Sequence, residues 1–234
     1  MWKGDLEDGA YPAVLDGPRY QWIFIRKVYT IIAIQLLVTV AVAAAVVSVH
    51  SISSFIVHTK AGLAVYIAII IVPFIVLCPL YYCYRLRPLN YLLLGIFTTA
   101  LGFLVGLTCA FTSGKVILQS ATITFAVVVS LTLYTFWAAR RGHDFGFLGP
   151  FLSASLIAIL LFALIQIFFP LGRVSVMIFG CLASIIFCGY IIYDTDNLIK
   201  RYAYDEYIWA AVSLYLDVIN LFLSILTVCS VQDR

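Results

Sequence analysis

Read along the chain, apolar residues gather into seven long stretches separated by short polar connections: 28–49, 61–84, 89–112, 116–138, 147–169, 174–196 and 207–230. A hydrocarbon core of ~30 Å needs about 20 helical residues at 1.5 Å each, so each stretch predicts one transmembrane helix. The connections leave no room for a soluble insertion. The expected organisation is a polar tail over 1–27, a membrane domain over 28–230 and a C-terminal remnant over 231–234. The fifth span is the best bounded, with Pro150 in its first turn and Phe169-Pro170 at its end. In the second, Pro73 and Pro79 predict kinks whose freed backbone groups need neighbours or water. Small residues in the first span (Ala41, Ala43, Ala44, Ala45) and the third (Gly95, Gly102, Gly106) predict close helix packing.

Composition agrees with the pattern. Of 234 residues 64% are hydrophobic and 11% charged, and the mean hydropathy is +1.09. Soluble domains carry roughly 25% charge, and one core of this size could not hide so much apolar surface. The first 20 residues are polar and acidic (Asp5, Glu7, Asp8, Asp16), which does not fit a cleavable signal peptide, so the first span is expected to act as a retained anchor. Basic residues set the orientation. Lys3, Arg19, Arg26, Lys27, Arg85, Arg87, Arg140, Arg141, Lys200 and Arg201 fall on one side, against Lys60, Lys115, Arg173 and Arg234 on the other. This excess predicts a cytosolic N-terminus and an odd number of spans.

Several functions lose support. Cys78, Cys83, Cys109, Cys181, Cys188 and Cys229 all lie in or beside apolar segments with no CxxC pair, as packing residues do. His50, His58 and His143 lie in connections, leaving no histidine set for a membrane zinc hydrolase. GxGD, GxSxG and HExxH are absent, and the last span has no lysine for a retinal Schiff base. No enzyme, no cofactor and no nucleic-acid partner are expected.

The remaining chemistry is acidic. Charge inside a bilayer is costly and marks function by default. Asp217 sits mid-way along the seventh span, in SLYLDVINLFLS, and Asp194 lies one to two turns inside the end of the sixth, in GYIIYDTDNLIK. The short connection around 200–206 makes these spans antiparallel neighbours. From that connection the two acids lie roughly 9 and 16 Å deep, a mismatch that side chains and tilt can close. Two carboxylates in a poorly hydrated site tend to share one proton, and when both are ionised they offer hard oxygen ligands to a cation such as Ca²⁺. The alternative makes Asp217 a packing device bonded to Ser213, Tyr215 or Asn220, and Asp194 an interfacial residue. Asp196 is a further candidate, ranked lower because it should lie nearer water. Arg85 and Arg87, ending the second span, are candidate latches for the carboxylates, or only topology determinants.

Four strings occur together: WIFIRKVYTIIAIQLLVT (22–39), AARRGHDFGFLGPFL (138–152), FCGYIIYDTDNLIK (187–200) and DEYIWAAVSLYLDVINLFLSIL (205–226). In order and spacing they resemble the transmembrane Bax-inhibitor-motif family, closest to its Lifeguard branch in the plant version. The resemblance implies an all-α seven-helix bundle with the last helix central, a calcium leak sensitive to pH, and suppression of stress-induced cell death at the endoplasmic reticulum or another endomembrane. It also places the family's paired aspartates on Asp194 and Asp217, and gives the latch to Arg85 or Arg87. One departure is Tyr84, where many Lifeguard members carry an acid before the basic cluster. The expected partners are the lipid bilayer, Ca²⁺ and H⁺, and membrane proteins that regulate cell death. Two other readings stand beside the leak: a non-conducting scaffold that binds such regulators, and a small-solute carrier, for which no match between spans one to three and five to seven is visible.

Overall fold

In a computed structural model of the chain, which describes residues 18–49, 55–56, 59–82, 89–169 and 172–233, every predicted span is a helix. They are α1 (Pro18–Ser48), α2 (Lys60–Tyr82), α3 (Leu89–Ala110), α4 (Gly114–Arg140), α5 (Leu148–Phe168), α6 (Arg173–Lys200) and α7 (Tyr207–Asp233). A 3₁₀ turn at Tyr204–Glu206 leads into α7, and no strand occurs among the described residues. All seven are long and apolar enough to cross a bilayer, and the chain is a multi-pass membrane protein.

Most helix ends fall within a few residues of the apolar boundaries. The exception is α1, which starts ten residues before position 28. Pro18 suits a first helical position, because its missing N–H would find no partner there in any case. The polar-looking segment that follows has one apolar face: Phe24 and Ile25 are buried, and Val28 is wholly so. Trp22 stacks on Phe136 of α4, with ring centroids 6.1 Å apart, and Lys27 Nζ sits 3.1 Å from the centre of the Tyr207 ring. Pro73 and Pro79 lie inside one continuous helix, α2.

Successive helices run in opposite directions, so α1, α3 and α7 are parallel. Their matching depths show it: Gln35 meets Thr98, and Thr39 meets Tyr215. Glycine sets the α1–α3 approach, since a Cβ on Gly106 would lie 2.9 Å from Ala43 Cα and from Val46 Cβ. At Gly102 the corresponding distance to Thr39 Cα is 3.2 Å. Gly95, expected in the same contact, has open space around it, and Ala41, Ala44 and Ala45 are exposed.

α7 is the most enclosed helix, half of its span being buried against 6% of α5. It packs against α6, α4, α1 and α3, while α5 packs on α6 and α2 on α3. Tyr215, Leu221 and Ala211 of α7 have no exposed surface. The outer helices present Phe74, Leu118, Phe125, Phe151 and Phe168 outward, as lipid-facing surfaces do. An acid placed on α7 is therefore held inside protein.

Candidate functional site

The α6–α7 interface carries the acids. Gly180 allows the helices to close at one end, where a Cβ would stand 3.1 Å from the Ser224 carbonyl oxygen. At the other end the three-residue 3₁₀ turn keeps the helices adjacent. Asp194 and Asp217 come together there, close enough for their carboxyl groups to act directly on each other. Both are buried, at 9% and 6% exposure, which removes the reading of Asp194 as an interfacial residue.

The donors proposed for Asp217 are engaged elsewhere. Ser213 donates to the Trp209 carbonyl, Asn220 to the Leu216 carbonyl at 2.9 Å, and Tyr215 pairs with Thr39 at 2.7 Å. Asp217 Oδ2 is buried and receives no hydrogen bond. Asn197, one turn on, is the polar side chain of α6 that lies nearest to Asp194 in its electrostatics. Among the described residues no lysine or arginine pairs with either acid. Tyr202 lies close by, its hydroxyl 3.5 Å from Ser213 Oγ; burial pushes its phenol up to about 12, and the Asp194 charge adds to this, so it stays neutral.

Asp196 corrects an expectation. It is not nearer water but wholly buried, on the face of α6 opposite Asp194. There its Oδ1 meets Lys200 Nζ at 2.6 Å and its Oδ2 accepts the Phe145 N–H at 3.1 Å. Burial of a charge is tolerated when it is paired and hydrogen-bonded: Oδ1 has the lysine charge as an ion pair without hydrogen-bond alignment, and Oδ2 has the hydrogen bond. The Asp-x-x-x-Lys spacing puts the two side chains on one face of the helix, a signal present in the sequence. Arg85 and Arg87, the latch candidates, lie outside the described residues, as do Tyr84, His50 and His58. His143 lies in the α4–α5 connection, where its carbonyl accepts from Lys200.

Sequence reading also missed a buried polar ladder joining the three parallel helices. Gln35 Nε2 donates to Thr98 Oγ1 at 3.1 Å, Thr39 donates to the Gln35 carbonyl at 2.8 Å, and Thr39 meets the Tyr215 hydroxyl. It fixes α7 two residues before Asp217. An apolar groove of about 550 Å³, open at the outer surface of the bundle and lined by residues such as Leu36, Val105, Phe125 and Phe222, lies elsewhere along α1, α3, α4 and α7 and contains neither acid. No group of three or more His, Cys, Asp or Glu residues converges among the described residues.

Residues 21–234, the seven helices with all of these side chains, match the family signature described as "Inhibitor of apoptosis-promoting Bax1". The chain belongs to the Bax inhibitor family. Within this family it is similar to plant Lifeguard proteins. Protein LIFEGUARD 2 of Arabidopsis thaliana is 68% identical over the whole of both chains. LIFEGUARD 3 of the same plant is 67% identical over 99% of this chain and 96% of its own, and LIFEGUARD 4 is 66% identical over 97% and 94%. Bax inhibitor family membership thus rests on the full length of the bundle, with the paired acids of α6 and α7 inside it.

Proposed function

We propose that this protein is a calcium leak of an endomembrane such as the endoplasmic reticulum, in which Asp194 and Asp217 share a proton that gates cation passage. By lowering stored calcium it would suppress stress-induced cell death, in keeping with a family described by its inhibition of apoptosis-promoting Bax1. The N-terminus is assigned to the cytosol from the distribution of basic residues.

The observation that supports this most directly is the meeting of two buried carboxyl groups, one of which has an oxygen with no donor. A helix interface gains nothing from such a contact that a pair of leucines would not supply better. With one proton between them the acids satisfy each other; without it they form a compact, doubly negative group. Two carboxylates offer only part of the six to eight oxygens that Ca²⁺ takes, so water must complete the shell. Such a site suits a cation in passage rather than a resident one.

Purified protein in calcium-loaded vesicles tests the proposal. A flux that depends on pH in the wild type and loses that dependence in Asp217→Asn is expected. Silence of the wild type would favour the scaffold reading, in which the chain acts only by binding cell-death regulators.

A further inference from the structure

Asp194 and Asp196 flank Thr195 near the end of α6, about 200° apart around the helix. Only one can face α7 at a time. A rotation of α6 by half a turn would exchange them, and nothing in the carboxyl groups themselves decides between the two.

The decision lies in a clasp outside the acidic pair. Lys200, one turn after Asp196, reaches Asp196 Oδ1 at 2.6 Å, Asp144 Oδ1 at 3.8 Å and the carbonyl of His143. Asp196 Oδ2 takes the Phe145 N–H at 3.1 Å. Asp144 Oδ1 takes the Gly146 N–H at 2.9 Å and meets Arg201 Nη2 at 3.2 Å. Three consecutive residues of the α4–α5 connection, 143–145, therefore grip the C-terminal turn of α6, and the Gly146 N–H holds Asp144 in place. From the other side Gln21 of α1 donates to the Ile199 carbonyl. The contacts run from a wholly buried carboxylate to an exposed one, and all of them address the face of α6 that points away from α7.

We propose that Asp196 and Lys200 are positioning residues, and that their clasp on the α4–α5 connection fixes the rotation of α6 so that Asp194 meets Asp217. The inference rests on the reading of that pair as the working site. It adds a route of regulation: whatever displaces the connection 141–147 releases the end of α6 and separates the carboxyl groups without touching them.

The test reads geometry apart from flux. In protein reconstituted in vesicles, with the native cysteines replaced, Asp194→Cys and Asp217→Cys are combined and the rate of oxidative cross-linking is measured. Adding Lys200→Met is expected to slow cross-linking at least about tenfold, since a misplacement of about an ångström has effects of that order or larger on aligned groups. Lys200→Arg, which keeps the charge and the reach, is expected to restore the rate at an unchanged melting temperature. If Lys200→Met fails to fold, Asp144→Asn with Arg201→Gln opens only the exposed arm and should give a smaller slowing. An unchanged cross-linking rate in whichever of these variants folds, or a loss that Lys200→Arg does not repair, overturns the clasp. A wild type silent in calcium-loaded vesicles but clasp-dependent in cross-linking would reject the conducting role and leave the positioning intact.

Discussion

Replacing Asp217 by asparagine should make the protein more stable, although it is expected to abolish pH control of the flux. In the wild type a buried acid faces another acid, and Asp217 Oδ2 has no donor. Asparagine keeps the volume and supplies an N–H₂ to Asp194. A hydrogen bond to a charged group contributes roughly 1.5–3 kcal/mol. For a chain of this length about 2–4 °C accompanies each kcal/mol, so the melting temperature should rise by about 3–12 °C. The gain must depend on pH in one direction. In acid the wild-type pair already holds the proton that makes the same bond, so the two proteins should converge; in alkali the wild type loses it and they should diverge. Thermal melts of detergent-solubilised Asp217→Asn and wild type across that range decide the matter. A variant less stable than the wild type in alkali would show that the carboxyl contact is not a strained one, and the shared-proton argument would fail with it. Stability withheld at a working site is a common cost of function.

Three further outcomes follow from other parts of the bundle. Gly106→Ala should destabilise by about 1–3 kcal/mol, because its Cβ would stand 2.9 Å from the Ala43 backbone, whereas Gly95→Ala, with open space around it, should be neutral or gain up to about 1 kcal/mol. Thermal melts of the two glycine variants give the contrast directly. Tyr215→Phe removes the 2.7 Å bond to Thr39 and should cost about 0.6–1.7 kcal/mol, read by the same assay. The Gly146 N–H holds the Asp144 carboxyl below its ordinary value, and Lys200 and Arg201 act the same way. A group with a depressed value lends stability that is present above its unfolded value and lost as pH falls through the folded one. Hydrogen exchange at the Gly146 amide, corrected for intrinsic rate, should therefore quicken in acid, and Asp144→Asn should show the quicker rate already at neutral pH.

The seven spans were legible because the bilayer imposes one length and one polarity on every crossing segment. What escaped was wherever polar residues face protein rather than lipid. The start of α1 reads as tail, since Arg26 and Lys27 interrupt it, yet Phe24, Ile25 and Val28 share one buried face and Lys27 lies over an aromatic ring. The acidic pair was legible in its residues, because an aspartate in the middle of an apolar span has few innocent explanations. Its alternatives were not decidable in sequence: Ser213, Tyr215 and Asn220 all stand within a turn of Asp217, and only the folded arrangement shows that each is spent on another acceptor. Asp196 was misplaced for a similar reason. Distance from the helix end suggested water, but the α4–α5 connection folds back over that end and buries it. Gly142, at φ +80°, turns the chain immediately after α4 and begins that return.

On the proposed function, one proton held between Asp194 and Asp217 decides whether cations cross. Calcium efflux from vesicles containing wild type or Asp217→Asn, measured at a series of pH values, addresses it most directly. A sloping profile is expected for the wild type and a flat one for the variant. Parallel profiles in the two proteins would contradict it.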